Sequence, residues 1–435
     1  MNCSRRLGCL FLLLANSRSI SADDAIPFSP GFDIAKVAAL AQSLPSRSWE
    51  FGTAAEALLE LYNPELSVFG ENPFPVAASS PSSVKALAYV AEKITIGYTG
   101  LSNGNGATGD PASLGVSAIM LGKTDDKFSD AADVQFAYLV DDAPRYSNGA
   151  ISQRAAKPVL WADFMYMAPP FMAFYAAESG NMTLLQETYK QCGLYRDVLQ
   201  SKGQGLWKHI VGPEAADPGH WSTGNGWAAA GMARVLATIL RAPAAQGAGW
   251  RDGAVSDLSG WIREILDAAM DAPLDGGLLR NYIDDTTSAH GFGEIAGSAL
   301  LASVAYRMAA LQPGAFGAAY IEWADGIRAE LGTGGHVKAS GVVSPAVNPL
   351  NWQDTKKDTS GSPEGQAMVV LMYAAWRDCV LAGTCQRKQP TQTTEAELAA
   401  QTSNASRSRC PIRKSQRRAQ RAFRRAQHAR RMRHS

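Results

Sequence analysis

Histidine and cysteine are scarce: six of each in 435 residues. No CxxC or HExxH spacing gathers them, which argues against a structural or catalytic zinc site. Long apolar runs are missing as well. Residues 7–15 form an apolar stretch far short of the ~20 residues a membrane helix needs, and no later stretch reaches that length. Strand-like alternation is rare, with ITIGY at 94–98 the best short case. The chain is 46% apolar and only 19% charged, enough for one large domain or two smaller ones with a sizeable core.

The near-neutral formal charge of +1 hides an asymmetry. Residues 407–435 hold 12 Lys and Arg and no acid, and residues 1–20 hold three Arg and no acid. The body at 21–406 keeps 26 basic against 40 acidic residues, a net of −14. An acidic body argues against nucleic acid as a partner. The tail, 388–435, reads as a low-complexity, disordered appendage. At the other end, Arg5 and Arg6 precede the apolar stretch and small residues follow it. Residues 1–22 therefore read as a secretory signal, and an extracellular destination is expected. Cys379 and Cys385 are close enough in sequence for a small bridge in an oxidising compartment. Asn181-Met-Thr and Asn404-Ala-Ser are glycosylation sequons, as in secreted eukaryotic proteins.

Between these ends, at 23–387, helical periodicity dominates. It predicts helices near 31–44, 47–62, 82–95, 111–122, 128–140, 161–178, 181–200, 224–242, 254–271, 291–311, 316–331 and 361–383. Twelve helices with short joins suggest hairpins packed around one centre, an all-α fold in which six hairpins in a ring would make an (α/α)6 barrel. Periodicity alone does not distinguish a closed ring from a solenoid.

Three clusters could carry chemistry. Gly104-Asn-Gly-Ala-Thr-Gly109 matches G-x-G-x-x-G, but the strand that a dinucleotide site needs before it is absent. Asp110-Pro111 follows; it is either a helix cap or an acid at the edge of a loop that admits a ligand. Asp163 is the one charge in VLWADFMYMAPPFMAFY, residues 159–175. It either caps a helix or pairs with Arg154 or Lys157, or it is a general acid whose pKa apolar surroundings raise. His220-Trp221-Ser-Thr223-Gly-Asn225-Gly-Trp227 offers a sugar platform of aromatic faces and small polar groups, or an aromatic helix start packed in the core. His209 is a further candidate contact. The acidic pairs Asp125-Asp126, Asp141-Asp142 and Asp284-Asp285 read as solvated turns.

WADFMYMAPPFMAFYAAESGN, HWSTGNGWAAAGMARVLATIL and SPEGQAMVVLMYAAWRD, in that order, resemble glycoside hydrolase family 105, the unsaturated rhamnogalacturonyl hydrolases, in a fungal-type secreted form. The resemblance spans roughly residues 30–383 and implies a six-hairpin α/α barrel. It implies hydration of the C4=C5 double bond of an unsaturated uronate at the non-reducing end of a lyase-generated pectin oligosaccharide, with release of rhamnose and no metal or cofactor. Asp163 matches the catalytic aspartate, which protonates C4 and then activates water. Asp110 matches a second aspartate that positions substrate and water. His209, Trp221 and Trp227 match pocket positions, with Thr223 and Asn225 between the two tryptophans, and Arg154 is a candidate clamp for the uronate carboxylate. The chain departs from its relatives at Thr223, where bacterial members often carry Arg, and at Gln153, where fungal ones often carry His. The alternatives are another α/α-barrel glycosidase, an endo-mannanase type needing Asp141-Asp142 in the cleft, or a barrel that binds sugar without turnover.

Overall fold

A computed structural model describes residues 25–97 and 100–387. The expected signal at 1–22, the tail at 388–435 and Asn404 lie outside the described residues. Thirteen α-helices carry the described fold: α1 Ile34–Ser43, α2 Ser48–Tyr62, α3 Lys85–Ala91, α4 Gly115–Gly122, α5 Asp126–Ala137, α6 Phe164–Met167, α7 Pro169–Glu178, α8 Met182–Leu199, α9 Ser222–Arg241, α10 Arg251–Asp271, α11 Ile295–Leu311, α12 Ala318–Thr333 and α13 Pro363–Leu381. Each of the twelve expected segments holds one of these, except 161–178, which holds two. There Pro169 and Pro170 supply no backbone N–H, so the ladder breaks at Ala168 and α7 starts afresh with proline in its first turn.

Six inner segments pack side by side: α2, the 3-10 turn Asp110–Leu114 with α4, the α6–α7 pair, α9, α11 and α13. The last of them, α13, packs back onto α2, so the ring closes. An outer layer covers it, with α3 on α2, α5 on α4, α8 on α7, α10 on α9, α12 on α11 and α1 on α13. This is the all-α barrel of six hairpins. Burial follows the layers. Every residue of α9 from Ser222 to Ile239 is buried, and so is α11 from Ile295 to Ala309. The outer α10 buries only a stripe, including Ala254, Leu258, Ile262, Ile265 and Ala269.

Strand structure among the described residues is slight. Leu160–Trp161 (β1) pairs antiparallel with Ile210–Val211 (β2), with Trp161 opposite Ile210. In the strand-like stretch that begins at 94, Ile94 to Ile96 lie in a loop, and Gly97 makes an isolated bridge to Gly100. Cys379 and Cys385 do form a disulfide, at a Cα–Cα separation of 5.2 Å. Cys192 is buried and free.

Candidate active site

A cavity of about 310 Å³ opens where the N-terminal ends of the inner segments meet. Its wall holds three acids (Asp110, Asp163 and Glu364), two arginines (Arg47 and Arg154), Gln153, and the indoles of Trp49, Trp161 and Trp352. The mixture of aromatic surface with a few convergent polar groups is that of a small-molecule site.

Asp163 stands just before α6 and caps nothing with its side chain. Nor does it pair with the expected cations. Arg154 Nη2 donates to the Asn105 carbonyl at 3.1 Å, and Lys157 pairs with Glu214 at 2.5 Å. Asp163 Oδ2 lies 3.2 Å from His209 Nε2 instead. The approach is off the ring N–H direction, so neither atom completes a hydrogen bond there. The β1–β2 ribbon sets this meeting. Its register continues with Ala162 N donating to the His209 carbonyl at 2.9 Å, one residue before Asp163.

His209 is fully buried, and its Nδ1 lies 3.0 Å from Asp217 Oδ2. The same Asp217 oxygen accepts from Tyr282 Oη at 2.7 Å and Trp352 Nε1 at 3.1 Å. Burial alone would push the His209 pKa down. The Asp163 charge and the contacts with both aspartates outweigh it, and the net shift is upward. Asp217 shifts oppositely: burial would raise it, but the hydrogen bonds from His209 and Tyr282 hold it below the usual carboxylate range.

Asp110 reaches the cavity through the glycine-rich loop. Thr108 N donates to the Gln153 carbonyl at 2.9 Å, so the loop is laid along residues 152–154. A Cβ on Gly109 would sit 2.7 Å from Gln153 Oε1 and 2.8 Å from the Phe164 ring, which only glycine avoids. Asp110 does not cap its turn; its Oδ1 accepts from Gln153 Nε2 at 2.8 Å. Burial, with the Asp163 charge adding, pushes its pKa up to about 7 against the lowering effect of Gln153. Burial thus favours the neutral form of Asp110 near pH 7.

The expected sugar platform does not line the cavity, because its side chains are buried and committed elsewhere. Trp221 Nε1 donates to Asn281 Oδ1 at 2.8 Å while its ring packs on His209. Asn225 exchanges hydrogen bonds with the Trp207 backbone and donates to the Trp221 carbonyl. Thr223 Oγ1 donates to Glu294 at 3.3 Å, and Trp227 packs against Tyr166. Trp221 is a support under His209, and the other three side chains are buried around it. Aromatic contact in the cavity comes from Trp49, Trp161 and Trp352, which the sequence reading did not select. It also missed Arg47, Asp217 and Glu364. Of these, Trp161 stood in a quoted motif beside Asp163 and Glu364 in the SPEGQ motif; Trp49, Asp217 and Trp352 had no sequence signal. His220 bridges Ser201 and Asp284, both at 2.8 Å. Asp125 caps α5, and Asp141 and Asp142 are exposed. Among the described residues, no group of three or more His, Cys, Asp or Glu is arranged to hold a metal.

Residues 112–332 match a family model described as Glycosyl Hydrolase Family 88. The chain belongs to that family. Asp163 and His209 lie inside the matched region, and Asp110 just before it. A curated relative, the unsaturated rhamnogalacturonyl hydrolase YesR of Bacillus subtilis (strain 168), is 28% identical over 203 residues, 44% of this chain and 55% of the relative. The chain thus spans about half the length of the curated relative it matches. A possible family 105 member from Salmonella enterica Paratyphi A superposes with TM-score 0.62 at 16% identity, covering 83% of this chain and 96% of that one. A family 88 glycosyl hydrolase from Bacteroides vulgatus superposes with TM-score 0.59 at 16% identity, covering 81% and 98%. At that identity the two structures speak for the barrel alone. The family match and the curated relative bear out the resemblance that the sequence carries.

Proposed function

We propose that this family 88/105 hydrolase hydrates the C4=C5 double bond of the unsaturated uronate that a lyase leaves at the non-reducing end of rhamnogalacturonan fragments. A proton adds to C4 and water adds to C5. The resulting hemiketal opens by breaking its bond to the ring oxygen. That leaves a ketone at C5 and a hemiacetal at C1, which releases the next sugar, rhamnose. An enol ether is a weak base, so a carboxylic acid must be held protonated beside it. The observation that carries this reading is the Asp110–Asp163 pair on one cavity wall, with Asp110 pushed up to about 7 and Asp163 against His209. One proton thus starts near neutral pH within the pair. Asp110 holds that proton and passes it to Asp163, which delivers it to C4 and then, as carboxylate, takes one from the attacking water, so the pair regains its proton as hydroxide adds to C5. Arg47 and Arg154 on the same wall suit the uronate carboxylate, and the indoles suit the sugar faces.

The mannanase alternative would need Asp141 and Asp142 in the cleft, and both are exposed on another segment. The Cys379–Cys385 bridge supports the expectation of secretion. The test follows ultraviolet absorbance of the conjugated enol ether during incubation with lyase-treated rhamnogalacturonan. The absorbance should fall with the wild type. In Asp163→Asn the rate should drop by about a thousandfold with unchanged helical content. Release of reducing sugar without loss of absorbance would mean a conventional glycosidase and would sink the proposal.

A further inference from the structure

The third acid of the cavity, Glu364, has no part in the steps above. It is the second residue of α13, whose cap is Ser362, with Ser362 Oγ accepting from Gly365 N at 3.2 Å. Glu364 is 4% exposed, and its Oε1 accepts from Trp49 Nε1 at 2.9 Å. Trp49 lines the same cavity, so the indole fixes the carboxyl against the cavity wall.

The charges that act most strongly on Glu364 come from three neighbouring elements and are negative: Glu50 on α2, Asp163 before α6 and Glu294 before α11; Arg47 and Arg154 line the same cavity. A helix N-terminus favours a carboxylate, by roughly 0.3–1 kcal/mol, and the indole N–H favours it too. Burial works the other way and is the larger effect here, so with the three acids it holds Glu364 well above the usual carboxylate range. An anionic sugar entering this cavity would meet three carboxyls. Each neutral carboxyl eases its entry, because two arginines, Arg47 and Arg154, cannot offset three carboxylates and a uronate together.

We propose that Glu364 is a specificity-determining residue that, as a neutral acid, donates a hydrogen bond to the carboxylate of the bound uronate, with Trp49 holding its other oxygen. This deepens the proposed function and rests on it. A neutral O–H donor on a carboxylate makes a short, charge-assisted bond. It also makes uronate binding depend on a proton. As pH rises and Glu364 ionises, the donor is lost, a repelling charge appears and KM climbs.

The experiment measures KM for the lyase-generated disaccharide from acid to alkaline pH in wild type, Glu364→Gln and Glu364→Met. Glutamine keeps a donor, keeps an acceptor for Trp49 and cannot ionise. Its KM should rise by only about threefold at acid pH, and the alkaline climb seen in the wild type should flatten. Methionine has no donor, and its KM should rise by about tenfold to a hundredfold at acid pH. A Glu364→Gln curve with the same alkaline climb as the wild type overturns the inference, and so does an unchanged KM in Glu364→Met. If Glu364→Met fails to fold, the Glu364→Gln curve decides alone. Wild-type turnover separates the two claims: if the wild type leaves the double bond intact, the uronyl hydrolase reading itself fails, and the uronate contact goes with it.

Discussion

Asp110 and Asp163 have different neighbours, and the difference sets their parts. Asp110 is half-buried, and its Oδ1 accepts from Gln153, a neutral donor, at 2.8 Å. A histidine there could become cationic and would favour the Asp110 carboxylate; glutamine cannot. The departure therefore helps keep Asp110 neutral up to about pH 7. The sign of the pH dependence follows. If the proposed mechanism holds, a proton on Asp110 starts the reaction, so kcat should fall as pH rises through about 7. In Asp110→Asn the carboxyl that holds a proton up to about pH 7 is gone. The descending limb of the kcat profile should then no longer stand near pH 7, along with a loss in kcat. A limb that stays in place would detach Asp110 from the proton supply. At this scale the sequence was legible for Asp163, Asp110, Arg154 and His209, which the fold brings to one wall or directly behind it. It was misleading for Trp221, Thr223, Asn225 and Trp227. Aromatic and small polar residues at a helix start look alike whether they face a ligand or prop up a histidine, and only the ring contact of Trp221 with His209 tells the two apart.

Elements hold the pair in place through close backbone approach. Helices α6 and α9 nearly touch at Gly231, where an added Cβ would lie 1.9 Å from the Met165 carbonyl oxygen. Met165 is two residues after Asp163. Alanine favours a helix interior over glycine by up to about 1 kcal/mol, whereas overpacking against backbone costs about 1–3 kcal/mol and often more. The clash should win. Gly231→Ala should lower the melting temperature and, by pushing α6 outward, reduce kcat more than it raises KM. A melting temperature above wild type would show that the helices are free to part. Helix positions were readable from the apolar period because each inner helix is apolar on nearly every face and each outer one carries a stripe. The β1–β2 ribbon was not readable: two-residue strands leave no alternation to detect, yet they set the Asp163–His209 contact.

At the scale of the whole barrel, chemistry and cohesion occupy different depths of the same helices. The acids stand at the N-terminal ends of the inner segments. Glu60, Arg234 and Arg307 stand well along α2, α9 and α11, each about 18 Å from its helix start at 1.5 Å per residue. There Glu60 is 1% exposed and receives both arginines, Arg307 Nη2 at 2.6 Å and Arg234 Nη2. Arg234 also reaches Glu56 at 3.1 Å and Tyr166 of α6 at 3.0 Å, while Arg307 reaches Asp378 of α13 at 2.6 Å. The network thereby links five of the six inner segments across the axis, which periodicity could not reveal because each charge looks like an isolated lapse in an apolar helix. A paired buried charge adds little net stability over an apolar residue, but removing one partner strands the other. Glu60→Gln preserves the shape and removes the charge shared by two buried arginines. It should destabilise the fold by about 3–5 kcal/mol, read as a lower midpoint in denaturant. Below that midpoint the KM should hold, because the cavity residues stand at the other end of the helices. If the midpoint stays at the wild-type value, apolar packing alone closes the ring. If KM rises while the midpoint holds, the two depths are coupled and the acids depend on the charges beneath them.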